Sequence, residues 1–199
     1  MILMCGRFFF EGDLDEVIKR FNIEINRQQS LNRGEIFPSY DYPVIHNNNG
    51  NKIDIFKWGF SVPYIKSLII NARGETVDSK PMFKNLLTEK RCLIPANCYF
   101  EWLNEGNKKI KFKIFLNKHK LFYMAGLYGR FYKNDEAYTG FTIITKEAMP
   151  AIKKIHHRMP VILTMENTDI WLDPSNKDSN TLKGLLLEER IDDIVSQVV

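Results

Sequence analysis

RCLIPANCYFEW (91–102), KIKFKIFL (109–116), LFYMAGLYGRF (121–131) and GFTIITKEA (140–148) follow one another with only short polar breaks between them. The second alternates Lys with Ile or Phe, so one face is wet and the other dry, the period of a half-buried strand. A polar turn around Asn134 separates the last two. Consecutive strands joined by short turns pair antiparallel. Upstream, IFPSYDYPVIHNNNGNKIDIFKWGF (36–60) holds two more strands about an HNNNG tip, a hairpin signal. MPVILT (159–164) and DDIVSQVV (192–199) read as further strands. Helical spacing is confined to DLDEVIKRFN (13–22), with Leu14, Val17, Ile18 and Phe21 on one face, and KPMFKNLLTEK (80–90), with Phe83, Leu86 and Leu87 inward. Asp13 with Glu16 forms a capping-box-like start to the first. A short turn after Pro150 and two pieces, TDIWLDP and TLKGLLLEER, complete the helices. The expected fold is α+β: a single β-rich domain over 1–199, with a curved, barrel-like antiparallel sheet core and peripheral helices.

The chain of 199 residues is long enough for a real core, and 44% hydrophobic with 26% charged residues is an ordinary globular balance. No apolar run approaches the roughly 20 residues of a membrane span, and MILMCGRFFFEG lacks a basic leader region, so no membrane association is expected. Three cysteines (Cys5, Cys92, Cys98) point to a reducing cytoplasm. No spacing suits a metal, and neighbouring His156 and His157 are expected to aim apart; neither metal nor cofactor is expected. From Thr164 onward there are three basic and eight acidic side chains, against 25 basic and 16 acidic before it. A basic body of this kind suits a polyanion such as nucleic acid, although a solvated lysine surface has the same composition.

Four clusters carry polar groups that a core does not need. Cys5-Gly6-Arg7 follows Met4, so a start or a cut at that point leaves a cysteine at the terminus. Such a residue has both a free amine and a thiol, with ordinary pKa values of about 7.7–8.0 and about 8.5. It can condense with an aldehyde to a Schiff base and close a five-membered thiazolidine. An internal cysteine is only a small hydrophobe. NARGET (71–76) places Asn71, Arg73 and Glu75 together. Glu101 lies between Phe100 and Trp102, and partial burial there suits acid–base work. KIHHRMP (154–160) brings His156 and Arg158, and both arginines offer forks for phosphate or for local carboxylates. Trp58 is a core residue or a stacking platform, with Gly59 leaving room beside it.

In this order and spacing, MCGRF, NARGET, RCLIPANCYFEW and IHHRMPVIL resemble the SRAP family, the SOS response-associated peptidase or abasic-site processing proteins. The resemblance extends to WGF, AGLYGRF and FTIITKEAMP and so covers nearly the whole chain. It implies a protein that binds single-stranded DNA, including single-strand/double-strand junctions, and captures abasic sites in a covalent, shielding thiazolidine crosslink; with no coiled coil or long apolar edge in the sequence, a monomer is expected. Cys5 would be the nucleophile, Asn71 would orient it and the sugar, Glu101 would move protons and His156 would open the sugar ring. Arg7, Arg73 and Arg158 match phosphate contacts, while Pro38 and Trp58 match residues that stack on or wedge beside bases. The protein is then expected in the cytoplasm, on the nucleoid when bound to DNA.

Phosphate contacts give affinity without reading sequence, which suits a lesion that has no base. Three departures from the family pattern stand out. Met1-Ile2-Leu3 precede Met4, so residues 1–4 must be absent or cut away to free Cys5, in the second case by self-cleavage. Gly74 replaces a larger small residue. Asn97-Cys98 stands where Asp-Gly is usual, making Cys98 a second thiol near Glu101. Two rival readings are a cysteine peptidase or amidohydrolase using Cys5 and His156, and a non-enzymatic single-strand binder.

Overall fold

The computed structural model describes residues 6–12, 14–23, 34–188 and 191–199. Five of its strands close into a barrel: β3 (Asp41–Asn47), β4 (Asn51–Trp58), β6 (Arg91–Ala96), β9 (Phe122–Lys133) and β10 (Glu136–Glu147). The β3–β4 hairpin turns at the expected Asn/Gly tip, with Asn47 opposite Asn51. β3 pairs β6, β6 pairs β9 and β9 pairs β10, all antiparallel. Closure is different. β10 meets β4 in parallel, Phe141 opposite Trp58, and carries short β5 (Asn71–Arg73) in parallel beyond it. The expected antiparallel rule fails here because these strands share no hairpin turn to set their direction; β4 and β10 are far apart in the chain.

Two outriggers, β11 (Arg158–Pro160) on β10 and β12 (Ile162–Leu163) on β9, extend the barrel wall. A second, five-stranded antiparallel sheet runs in the order β13 (Ile194–Val198), β8 (Lys108–Leu116), β7 (Cys98–Glu105), β1 (Phe8–Phe10), β2 (Gly34–Ile36). Its alternation works as the sequence pattern requires. Phe8, Phe10, Tyr99, Ile114 and Leu116 face the barrel, forming one core with Tyr42, Val44, Trp58, Ile94, Met124 and Phe141. Cys98, Phe100 and Trp102 take the opposite face of β7.

The other side of the barrel wall packs under helices. α1 (Leu14–Phe21) buries Val17 and Phe21, α2 (Pro81–Glu89) buries Leu87, and α4 (Met165–Leu172) and α5 (Ser179–Leu187) contribute Trp171, Leu172, Leu182 and Leu186. α4 and α5 start on side-chain caps from Thr164 and Asp178. The capping residue expected for α1, Asp13, lies outside the described residues. Short α3 (Pro150–Lys153) begins at Pro150 as expected. No helix among the described residues is long and apolar enough to cross a membrane.

Candidate active site

β10 is the rail on which two of the four sequence clusters meet. On one side it pairs Thr145 with Arg73 of β5, on the other with Pro160 of β11. NARGET and HHRMP, more than 80 residues apart, therefore sit side by side. Arg158 locks them together. Its two terminal nitrogens donate to both Glu75 carboxylate oxygens at 2.6 and 2.8 Å, and one also donates to the Thr145 carbonyl at 2.8 Å. Glu75 in turn accepts the Glu147 amide. The Arg158 fork beside it holds the Glu75 carboxyl below the ordinary glutamate value.

The third cluster enters through His156. Glu101 on β7 is 3% exposed, and its carboxylate lies 3.9 Å from His156 Nδ1 in a ring that is 9% exposed. Nδ1 also lies 3.1 Å from both the amide nitrogen and the carbonyl oxygen of Arg158. Nδ1 can accept from the amide in one tautomer or donate to the carbonyl in the other, since both atoms are within hydrogen-bond reach. Nε2 is buried and has no hydrogen-bond partner among the described residues. Once protonated, the ring can turn its Nδ1–H to the Arg158 carbonyl or to Glu101. His156 and His157 do not aim apart as their adjacency predicted, because both flank the turn after α3. Their rings lie 4.4 Å apart. Burial, then the positive charge of His156, Arg158 and Arg73, pushes His157 below the usual histidine range.

The fourth cluster arrives from β1. Cys5, the expected nucleophile, lies outside the described residues. Arg7 is half-buried, and its carbonyl accepts the Phe100 amide, next to Glu101. Its guanidinium stacks on Phe37 at 4.3 Å and on Trp102 at 5.0 Å, and donates to Glu35 at 3.2 Å. Arg73 is exposed and forms no ion pair among the described residues. Asn71 heads β5, half-buried and in register with Ile143. Pro38 is the second residue of a turn in which the Tyr40 amide donates to the Phe37 carbonyl, and the Ser39 amide donates to the Trp58 carbonyl.

Three expectations need correcting. Trp58 is fully buried, stacked with Phe141 at 6.2 Å and donating its indole N–H to the Ile70 carbonyl. It is a core residue with no face for a base. The room beside Gly59 is taken, since a Cβ there would come within 2.9 Å of Leu68 Cβ, and its φ of +117° requires glycine. Arg158 is spent on Glu75 and Thr145 and does not offer a free fork to phosphate in this arrangement. Cys98 is no second thiol for the site: it lies on the face of β7 opposite Glu101, and burial pushes its thiol up to about 11. What the sequence reading missed is Phe37, Tyr40 (45% exposed) and Glu35 around Arg7, together with the fully exposed ring of Tyr64 in the loop before Asn71. Clustering of aromatics near Arg7 was the available signal, but it is visible only once β1, β2 and β7 are paired. No cluster of three metal-ligating side chains occurs among the described residues.

The fold defines a β-rich class of protein, a closed barrel backed by a second sheet, that carries a buried His156–Glu101 pair. Residues 4–199 match the model of the SOS response associated peptidase (SRAP) family, and the chain belongs to that family. It is 38% identical over 206 residues to the abasic site processing protein YoqW of Bacillus subtilis, covering 96% of this chain and 90% of that one. It is 29% identical to the abasic site processing protein YedK of Escherichia coli, over 85% and 79% of the two chains. A crystal structure of a protein from Bacteroides thetaiotaomicron matches with a TM-score of 0.85 and 28% identity, covering 98% of this chain and 92% of that one.

Proposed function

We propose that this protein processes abasic sites in DNA by forming a covalent crosslink through Cys5 once residues 1–4 are absent. The observation that carries the reading is the buried Glu101–His156 pair, whose Nε2 has no partner among the described residues, in a chain whose relatives are named abasic site processing proteins. An abasic sugar is mostly closed. His156 in its imidazolium form, held beside the Glu101 carboxylate, gives its Nε2 proton to the ring oxygen and is left neutral, while the C1′ hydroxyl proton passes to Glu101 as the aldehyde opens. The neutral Cys5 amine attacks C1′ and water leaves, with Glu101 and His156 returning protons. The thiolate then adds to the imine carbon as the nitrogen takes up the thiol's proton. The balance is aldehyde plus amine plus thiol giving thiazolidine plus one water. Asn71 orients the amine and sugar. Arg73 and Arg7 supply phosphate affinity, Pro38 with its Tyr40 turn abuts the bases, and Arg158 holds the His156 loop.

The same pair serves one further turnover, removal of the segment ahead of Cys5, if translation begins at Met1. In this reading the protein works as a monomer in the cytoplasm on single-stranded DNA and its junctions. The deciding experiment joins intact-mass measurement of the purified protein to incubation with an abasic oligonucleotide. A chain beginning at Cys5 should give an adduct one water lighter than the sum of its parts and stable to heat, and Cys5→Ala should give none. Adduct formation that is undiminished in Cys5→Ala, or by a chain retaining residues 1–4, would overturn the proposal.

A further inference from the structure

The face of the five-stranded sheet that turns away from the barrel is the least explained surface of the molecule. Along β8, Lys109, Lys111 and Lys113 point to this face, opposite Asn104, Trp102 and Phe100 of β7. Each of the two inner ammonium groups lies over a ring: Lys111 is 4.0 Å from the Phe100 centroid and Lys113 is 5.4 Å from Phe115. Arg7 continues the pattern between Phe37 and Trp102. Glu35, which reaches this face, is already neutralised by Arg7 and by Lys111, at 3.2 and 2.5 Å. Lys109 is exposed, Lys113 half-buried, and neither forms an ion pair among the described residues.

We propose that this face is a track for single-stranded DNA leading away from the lesion, with the β8 lysines contacting successive phosphates. Alternate residues on a strand stand about 6.7 Å apart, close to the phosphate spacing of an unstacked strand. Lysine heads interleaved with the half-exposed rings of Trp102 and Phe115 are the combination that holds single strands without reading sequence. Duplex is disfavoured because its bases are stacked away from the rings. The track begins close to the active site at Arg7, whose carbonyl accepts the Phe100 amide, while Glu101 itself projects from the other face of β7. It deepens the DNA reading given above and rests on it.

The test uses the double variant Lys109→Gln/Lys113→Gln, leaving Lys111 to hold Glu35. Probes are single strands of three and of twenty nucleotides, each with one abasic site, and a blunt duplex of twenty base pairs. Binding to the long strand should weaken about tenfold at low salt, and its log–log salt slope should flatten by about 1.4, two single-strand contacts at about 0.7 each. Adduct formation on the short strand should be unchanged. Unchanged affinity for the long strand, equal loss on the short one, or a loss confined to the duplex would overturn the track. Should neither protein form an adduct, the crosslinking proposal fails, while affinity for long intact single strands still decides this surface. If the double variant melts early, Lys109→Gln alone, at an exposed position, should give half the slope change.

Discussion

Arg158 and Lys113 both occupy positive stretches of sequence, yet they sit in opposite kinds of region. Around Arg158 both terminal guanidinium nitrogens and the backbone amide meet rigid neighbours: Glu75, the Thr145 carbonyl and the His156 ring. Around Lys113 the charge rests over an aromatic ring and faces solvent. A buried guanidinium held by a bidentate carboxylate has little left for a ligand, and its work is geometry. An exposed ammonium contributes a field and fixes nothing. The arginine that sequence reading assigned to phosphate belongs to the first kind, and lysines it left as solvated surface belong to the second.

The comparison breaks most visibly at the tryptophans. Trp58 lies on the buried side and Trp102 on the exposed face. Trp58→Ala should lose about 3–5 kcal/mol in urea unfolding, as buried aromatic truncations do, while Trp102→Ala should lose less than about 1. If Trp58→Ala keeps full stability and loses only DNA affinity, the core assignment is wrong. Next in size is the Arg158 clamp. Glu75→Gln should cost about 1 kcal/mol at pH 7, discounted because the Glu75 side chain is 38% exposed. Its folded pKa is depressed, so the wild type's advantage is present above the ordinary 4.5 and lost as pH falls through the folded value. Chemical-denaturation curves from pH 7 to pH 3 should therefore converge; a gap that persists in acid would remove the ion pair from the account.

Arg73 sharpens the contrast on the ligand side. Arg73→Ala should flatten the salt dependence of single-strand binding by about 0.7 with no change in melting temperature, whereas Arg158→Ala should lower the melting temperature first. Equal effects on both readouts would erase the distinction between the two arginines. The smallest expected effect is at Gly74. A Cβ there meets the Thr145 carbonyl and Leu186 at 3.5 and 3.6 Å, ordinary contact, with no left-handed φ to forbid it. Gly74→Ala should change stability by no more than about 1 kcal/mol, in the stabilising direction by loss of unfolded-state freedom. A large destabilisation would mean that the turn after β5 needs glycine for a reason its geometry does not reveal.

Much of the fold could be read from local pattern. The Lys/Ile/Phe alternation of 109–116, the HNNNG tip, the stripe of Val17, Ile18 and Phe21 and the start at Pro150 all depend on neighbours a few residues away, and all became the elements expected. The four motifs marked where chemistry would gather because they carry polar groups that no core requires. Pairings across the chain were another matter. That β10 closes on β4 in parallel, that Arg158 spends its fork on Glu75 at a separation of 83 residues, and that Trp58 turns inward while Trp102 stays at the rim were decided by tertiary packing. A residue's type states which interactions it can make; which one it makes depends on the partners that folding brings within about 4 Å, and those lie on distant strands whose order no local pattern encodes.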